Sequence, residues 1–252
     1  MSIDSKHFIG FLPQIKDATD AVINLSTGGS LTNTISERIA PAKLVSPEMT
    51  SLYIGSMNFS MHPLASKYKS WRFDWEHDYL ASSDSCIFRN TFRDIAMVAR
   101  ELGEEEGVKF EYEWYDVGHL YNLKFCIDTG MFKPPGFIQF VLEILGGIGA
   151  DIENLIFIKR TADKLFGNNY RLSVLGAGAS LMDLATAAAT MGGNVRVGLE
   201  DSLFISRGQL VESNAQQVSK IRRMLAEHGL EAASQAEARE MLGLKRQENT
   251  KF

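Results

Sequence analysis

One arginine and two carboxylates near it in sequence are the strongest candidates for chemistry in this chain. Arg196 stands in an otherwise apolar stretch, 194–199, that predicts a strand, and Glu200 and Asp201 follow directly. A buried guanidinium needs an anionic partner, so we expect Arg196 to pair with one of these carboxylates. Strict alternation along the strand would place Glu200, rather than Asp201, on the face of Arg196. Arg196 could orient a carboxylate while Glu200 or Asp201 binds a metal or takes up a proton, but a structural ion pair at the rim of a barrel would show the same residue pattern.

Turns rich in glycine and small polar residues follow other apolar runs. One reads Ser-Thr-Gly-Gly-Ser at 26–30, and another reads Gly-Ala-Gly at 176–178. Glycine lets the backbone approach a ligand closely, and its N–H groups can bind anions. The first turn lacks the lysine of a P-loop and the second lacks the third glycine of a dinucleotide-binding loop, so both nucleotide motifs are disfavoured. A phosphate or carboxylate site at 26–30 and a simple strand-to-helix turn are equally open interpretations.

Histidine and cysteine give weaker signals. His119 follows an alternating strand pattern at 110–115 and could be a base or a ligand, but an isolated histidine near aromatic residues is more often structural. Cys86 and Cys126 have no obvious neighbouring base and fit thiols in a reducing cytosol. The sequence contains no His-x-His, His-Glu-x-x-His or Cys-x-x-Cys pattern, so it does not spell out a self-contained metal site.

The elements that must position these residues are six short apolar runs and the helical patterns between them. The runs begin near Ala21, Met49, Phe110, Phe137, Arg171 and Asn194, and helical patterns cover 91–101, 151–166, 180–190, 214–228 and 234–242. Alternating strands and helices predict a parallel α/β sheet in one domain, 1–252. Ligands bind at the carboxyl ends of such strands, so the candidate residues should meet along one edge. Residues 60–85 have no clear period and are predicted to be a functional or interface loop.

Length and composition exclude several classes of protein. The 252 residues carry a net charge of −5, which argues against a nucleic-acid site built on bulk positive charge. No apolar run reaches the ~18 residues needed to span a bilayer, and the first residues lack the pattern of a secretory signal. We therefore expect a cytoplasmic protein with neither nucleic acid nor membrane as a partner. The length is also about that of a (β/α)8 barrel.

Taken together, the strand ends resemble those of the β-keto acid cleavage enzymes, the family of the 3-keto-5-aminohexanoate cleavage enzyme. The segments that carry the resemblance are 22–30, 55–59, 115–120, 139–142 with 146–147, and 195–201. The resemblance implies a (β/α)8 TIM barrel, usually a homotetramer, with a divalent metal, typically zinc (Zn2+), and acetyl-CoA as co-substrate. It also implies an acyltransferase reaction in which a β-keto acid and acetyl-CoA give acetoacetate and a new acyl-CoA. In this retro-Claisen chemistry the metal would polarise the β-keto group, while a base removes a proton from the acetyl-CoA methyl group or a related adduct.

The resemblance further assigns roles to individual residues. Glu200 would be a metal ligand, Asp201 the catalytic acid/base and Arg196 the residue that orients Asp201. Glu113 would be a catalytic carboxylate inside the mouth of the barrel. Ser30 and Ser56 match substrate-binding positions, and the strand-end pattern adds Thr27, Gly28, Gly29 and Asn58.

Two features of the family are not found in this sequence. They are a His-x-His pair on the family's second strand, which supplies two metal ligands, and an acidic residue on the first strand. By this resemblance the chain would begin in the second helix, as an N-terminally truncated barrel with about six of the eight β/α units. A second hypothesis is therefore a catalytically impaired remnant that only binds CoA or a partner. A third is a phosphate-binding barrel of unrelated chemistry that uses the glycine-rich turns.

Overall fold

The computed structural model describes residues 4–30, 32–134 and 136–252. The strands are β1 (Asn24–Ser26), β2 (Met49–Tyr53), β3 (Met57–Asn58), β4 (Ile87–Phe88), β5 (Lys109–Trp114), β6 (Gly136–Leu142), β7 (Tyr170–Gly176), β8 (Asn194–Val195), β9 (Phe204–Ser206) and β10 (Gln209–Leu210). The helices are α1 (Ser5–Ala18), α2 (Ile35–Val45), α3 (Trp75–Ala81), α4 (Phe92–Val98), α5 (Val117–Asp128), α6 (Ile152–Phe166), α7 (Leu181–Thr190), α8 (Asn214–Glu227) and α9 (Gln235–Leu242). Within these residues no helix is long and apolar enough to cross a membrane.

The main sheet confirms the predicted parallel α/β architecture. Its strands follow one another in the order β1-β2-β5-β6-β7-β8, and every pairing between neighbours is parallel. Each of the six predicted apolar runs supplies one of these strands. The sheet curls into a half-barrel, and β3 with β4 and β9 with β10 form two small antiparallel sheets beside it. Because all six strands point the same way, their carboxyl ends lie along one edge.

The two faces of the main sheet differ sharply in polarity. One face carries large buried side chains such as Leu52, Trp114 and Phe140, which pack with apolar residues of the surrounding helices. The other face carries polar residues in register, with Glu113 of β5 paired with Gln139 of β6. Since side chains alternate along a strand, apolar burial on the helix side leaves the inner side available for polar chemistry.

Capping residues explain where several helices begin. The Asp151 side chain accepts a hydrogen bond from the Asn154 N–H before α6, and Ser213 caps α8 in the same way. At the start of α9, Ser234 and Glu237 form a reciprocal capping box. The helices predicted at 151–166, 180–190, 214–228 and 234–242 are confirmed to within one residue at each end. The pattern at 91–101 becomes α4 followed by a π-helical turn, Ala99–Glu104.

Other elements depart from the sequence prediction. The strand predicted over 194–199 is wrong beyond Val195, because the chain turns at Gly198, whose carbonyl accepts hydrogen bonds from the N–H groups of Asp201 and Ser202. Helix α2 lies outside the predicted helical patterns, and it contains Pro41, a residue that disfavours a helix interior. Helix α5 exposes aromatic side chains opposite its buried face, so no single period stands out. The segment 60–85, predicted to be irregular, contains α3 between short 3-10 turns.

A buried ion pair fastens the C-terminal helix to the sheet. Arg239 of α9 donates to both carboxylate oxygens of Glu48 at 2.7 and 2.8 Å, just before β2 begins. Its remaining Nη1 donates to Asp20 at 3.0 Å. Only 1% of the Glu48 side chain is exposed, so this carboxylate depends on the guanidinium for its charge compensation.

We expect Arg239→Gln to lower the free energy of unfolding by about 3–5 kcal/mol, because Glu48 would be left as an unpaired buried charge. Urea unfolding followed by circular dichroism measures the change. Arg160→Gln is the matched control, since Arg160 is an exposed arginine on α6. Equal stability of Arg239→Gln and the wild type would contradict the stabilising role of the Arg239–Glu48 ion pair.

Candidate active site at the carboxyl ends of the strands

Arg196 lies immediately after β8 and contacts three carboxylates. Its Nε and Nη2 atoms donate to the two carboxylate oxygens of Asp201 at 3.1 and 3.0 Å. Its Nη1 atom donates to Oε1 of Glu113 at 3.2 Å, and Nη2 lies 3.4 Å from Oε2 of Glu200. The predicted pairing of Arg196 with its neighbouring carboxylates is therefore confirmed. The predicted alternation is wrong, because the strand has already ended and both Glu200 and Asp201 reach the guanidinium.

The backbone around Asp201 is anchored on two sides. The Gly178 N–H, in the turn after β7, donates to the Asp201 carbonyl at 2.8 Å. The Leu199 N–H donates to Oδ1 of Asn214, the first residue of α8, also at 2.8 Å. These contacts hold the loop that carries Asp201 against the neighbouring elements, so its carboxylate keeps its two-point contact with Arg196.

Burial separates the roles of the three carboxylates. The side chains of Glu113 and Asp201 are 5% and 6% exposed, whereas that of Glu200 is 77% exposed. Burial and the nearby charge of Glu111 raise the pKa of Glu113 to about 7, although Arg196 and Tyr115 oppose this shift. Burial also raises the pKa of Asp201, against the opposing effect of Arg196. Two buried carboxyl groups of unlike environment thus share one guanidinium, an arrangement suited to holding and moving a proton.

Two tyrosines that the sequence analysis did not identify complete the surroundings of Glu113. The Tyr115 hydroxyl donates to Oε2 of Glu113 at 3.1 Å. The Tyr53 ring stacks on Tyr115 with centroids 4.9 Å apart and on Phe88 with centroids 4.2 Å apart. Tyr115 follows Glu113 by two residues in an alternating strand, which is a signal that could have placed both on one face. The rings exclude water from the carboxyl group and so contribute to its raised pKa.

Below these residues a row of hydrogen bonds crosses the inner face of the sheet. The Asn24 amide donates to Glu111 at 2.6 Å. With its amide oriented to satisfy both neighbours, Gln139 donates to Glu111 and to the Ser173 hydroxyl, each at 3.0 Å. A glutamine inside an apolar strand was a signal for this inner polar row. The row satisfies the buried carboxyl group of Glu111, whose pKa is raised above its usual value by burial.

The predicted substrate-binding turn at 27–30 begins beneath the surface and ends at it. Thr27 is fully buried, and its hydroxyl donates to the Ser51 carbonyl at 2.6 Å, so this hydroxyl fixes the turn. Gly29 has a φ of 66°, a conformation that favours glycine. The Ser30 N–H donates to the Asn33 side chain at 2.8 Å. Gly28 lies beside the Tyr53 ring, which connects this turn to the surroundings of Glu113. The substrate-binding role of these residues stays a prediction.

A buried arginine joins this turn to the one after β2. Arg38 of α2 donates from Nε to the Thr27 carbonyl at 2.9 Å and from Nη2 to the Asn90 side chain at 3.3 Å. Asn90 in turn donates its side-chain amide to the Tyr53 carbonyl and its backbone N–H to the Ser56 hydroxyl, the latter at 2.8 Å. Arg38 and Asn90 therefore position two turns predicted to bind substrate. They come from segments that the strand-end pattern did not include, and no sequence signal identified them.

Asn58 and His119 occupy structural positions near the same edge. The Asn58 carbonyl approaches Gly146 so closely that a Cβ atom there would lie 1.7 Å from its oxygen, and Gly146 also has a φ of 103°. His119 is buried; its Nδ1 accepts from the Tyr115 N–H at 3.3 Å, and its Nε2 lies 3.5 Å from the Ser56 carbonyl. Burial lowers the pKa of His119, which favours a neutral ring. These contacts agree with the structural interpretation of this histidine.

The described residues do not by themselves fit a zinc site. Zinc takes four ligands in structural sites and three protein ligands plus water in catalytic ones. Across 4–30, 32–134 and 136–252, no group of three or more His, Cys, Asp or Glu side chains is arranged to hold a metal ion. Glu200 has the exposed carboxylate that the resemblance implies as a ligand, and it is one donor only.

Comparison with known proteins places this geometry in context. A family model described as beta-keto acid cleavage enzyme matches residues 1–244. The 3,5-dioxohexanoate:acetyl-CoA acetone transferase of Paraburkholderia graminis is 49% identical over 249 residues, which cover 99% of this chain and 80% of that relative. A 3-keto-5-aminohexanoate cleavage enzyme of Fusobacterium nucleatum is 31% identical over 245 residues, which cover 96% and 78% of the two chains.

A solved structure has the same fold. The apo structure of ObcA superposes with a TM-score of 0.68 at 18% sequence identity, over 96% of this chain. The chain spans 55% of the length of that solved chain. The likeness therefore extends through nearly all of the half-barrel.

The raised pKa of Glu113 predicts a pH-dependent stability. Between the usual value of 4.5 and about 7 the folded protein holds more protons than the unfolded chain, so the free energy of unfolding falls as pH rises through this window. Glu113→Gln keeps an uncharged hydrogen-bonding side chain and should flatten this part of the dependence. Urea unfolding at a series of pH values measures it, with the exposed Glu153→Gln as control. If the unfolding free energy of Glu113→Gln fell with pH as steeply as that of the wild type, the raised pKa of Glu113 would be refuted.

Proposed function

The chain belongs to the β-keto acid cleavage enzyme family, and from that premise we propose that it transfers the acyl group of a β-keto acid to coenzyme A. Acetyl-CoA is the co-substrate and acetoacetate the second product. The observation that carries the proposal is the contact of one guanidinium, Arg196, with the buried carboxyl groups of Asp201 and Glu113 at the carboxyl ends of the strands.

The products determine where the proton must leave. Acetoacetate forms when C2 of the β-keto acid bonds to the acetyl carbonyl carbon, and the bond from C2 to C3 then breaks as the C3 acyl group passes to the CoA sulfur. We therefore place the abstracted proton on C2, rather than on the acetyl-CoA methyl group. Asp201 takes this proton and returns it to C2 of acetoacetate after cleavage, so the residue ends the cycle in its starting state.

Arg196 and Glu113 support that proton transfer without taking part in bond formation. The two-point contact of Arg196 keeps the Asp201 carboxylate charged and oriented while it waits for substrate. When Asp201 is protonated, Arg196 keeps its contact with Glu113, so the guanidinium is not left unpaired. The hydroxyl groups of Ser30 and Ser56 and the side-chain amide of Asn58 supply donors for the substrate carboxylate. Thr27, Gly28 and Gly29 shape the turn that carries Ser30.

The surroundings of Glu113 favour an uncharged acyl arm. With a pKa of about 7 the carboxyl group is largely protonated below neutral pH, and Tyr115 lies against it. Neutral hydrogen-bond donors suit an acyl arm that carries a carbonyl oxygen better than an arm that carries an ammonium group. The relative with 49% identity is named for 3,5-dioxohexanoate, so this diketo acid is the first substrate to test.

Three finer features also belong to the proposal. The six parallel strands, with β1 and β8 at the open edges of the half-barrel, would be six of the eight units of a (β/α)8 barrel. Zinc would take Glu200 as one ligand, and no step above depends on it. A homotetramer and a cytoplasmic location stay predictions. The alternative of a remnant that only binds CoA or a partner is less favoured, because the ion-paired groups that the reaction needs are held together.

We expect Asp201→Asn to lower kcat by at least about 10²-fold, because the amide cannot accept the C2 proton. The assay measures acetoacetate released from 3,5-dioxohexanoate and acetyl-CoA. Asp183→Asn, on the exposed side of α7, is the matched control and should leave kcat unchanged. Retained turnover in Asp201→Asn would remove Asp201 as the base.

A single carboxylate is a poor zinc site, so we expect dialysed protein to hold well below one equivalent of zinc, and Glu200→Gln to hold less still, because the amide is a poorer ligand than the carboxylate. Elemental analysis of dialysed protein provides the measurement, and Glu227→Gln at the exposed end of α8 is the control. Equal zinc content in Glu200→Gln and the wild type would refute the ligand role, and a full equivalent of zinc in the dialysed wild type would contradict the poor fit of the described residues.

A further inference from the structure

A polar groove that the reaction above does not use lies beside the loop that carries Asp201. It has a volume of about 490 Å³ and runs between the β9–β10 hairpin and one side of α8. The helix contributes Gln216, Ser219, Lys220 and Arg223, whose spacing of three and four residues places them on a single helical face. The groove is therefore lined mainly by hydrogen-bond donors, with two cations among them.

The groove lies in a positively charged part of an acidic protein. The segment 204–224 contains four basic residues, Arg207, Lys220, Arg222 and Arg223, and a single acidic one, Glu212, although the whole chain has a net charge of −5. A local excess of positive charge on such a chain favours an anionic ligand at this place.

Several donors in the groove have unused capacity. Arg223 and Ser219 make no side-chain hydrogen bond or ion pair with any residue that the structure describes. Lys220 donates to the Ile205 carbonyl, which uses one of its three N–H bonds and fixes the ammonium group at the floor of the groove. A fixed ammonium, a free guanidinium and a free hydroxyl match the donors that bind phosphate oxygens.

The groove is fastened to the candidate active site. At one end of α8, Asn214 accepts the Leu199 N–H, and Gln217 donates to the Ser202 carbonyl at 2.7 Å. These two contacts bracket Asp201 in sequence. At 1.5 Å per residue, Arg223 lies about 14 Å along the helix from Asn214. An anion in the groove is thus too far away to react, but a long flexible arm could join it to Asp201.

We propose that this groove binds the phosphate groups of coenzyme A while the pantetheine arm follows the loop at 198–203 and brings the thioester to Asp201. The inference rests on the proposed acyl transfer, since it assigns a place to the co-substrate of that reaction. Phosphates at the far end of a flexible arm require a cationic site remote from the reacting carbon, and the groove has that position and charge. Phosphate sites after the last strands, near the start of an extra helix, recur in (β/α)8 barrels.

Arg223→Gln tests the proposal, with Arg222→Gln as the matched control. Both are exposed arginines on α8, but only Arg223 lines the groove. Isothermal titration with CoA should give a Kd about tenfold higher for Arg223→Gln, as expected for the loss of a charge-assisted hydrogen bond, and an unchanged Kd for Arg222→Gln. Titration with acetyl-pantetheine, which lacks the phosphates, should give the same Kd for all three proteins.

The outcomes separate the groove from the reaction. A CoA Kd that is unaffected by Arg223→Gln, or equally raised by Arg222→Gln, would overturn the proposal. Inorganic phosphate that binds as tightly as CoA would overturn the assignment to the co-substrate. Wild-type protein that binds CoA through Arg223 but releases no acetoacetate would refute the proposed acyl transfer and leave the groove assignment standing. Circular dichroism of Arg223→Gln verifies that the variant is folded.

Discussion

The compensation of buried charge at Arg196 is the interaction on which the rest of the site depends. Two carboxyl groups, on Glu113 and Asp201, are almost fully withdrawn from water and reach the same guanidinium from different elements. Either carboxylate alone would be costly to bury, and both together would repel each other. The guanidinium makes the arrangement possible, and it ties β5 to the loop after β8. The arrangement of the candidate site and the closure of this part of the half-barrel thus depend on one contact.

The sheet makes that contact compatible with a stable fold. Its strands alternate between an apolar side that packs on the helices and a polar side that carries Glu111, Glu113, Gln139 and Ser173. Hydrophobic burial on the first side stabilises the domain and leaves the inner side free for groups that would be unfavourable in an apolar core. Hydrogen bonds along the inner side satisfy each of these groups, so the candidate site occupies the same strands that hold the protein together.

The parallel topology also explains why distant segments act together. Every strand of the main sheet ends at the same edge, so the turns at 27–30, around Ser56 and after β7 and β8 converge there. Arg38 and Asn90 then connect two of these turns through hydrogen bonds. Helix α8 extends the same edge outward, from Asn214 beside the Asp201 loop to the cationic groove. A co-substrate with a reactive end and a charged end fits this layout, with one end at each part of the edge.

The sequence by itself determined the six strands, most of the helices and their caps, and the candidates Arg196, Glu200 and Asp201. These features depend on local periodicity and on residues close in sequence, and the motifs at the strand ends were enough to identify the family. Only the tertiary structure decided that Asp201 joins Arg196 although alternation pointed to Glu200, because β8 ends at Val195 and the chain turns. Only the tertiary structure, likewise, brought Tyr53, Tyr115, Arg38 and Asn90 to the site and formed the groove of Lys220 and Arg223. Their roles come from contacts across the sheet or between elements, and from burial that withdraws side chains from water. Neither kind of interaction produces a periodic residue pattern in the sequence from which it could be predicted.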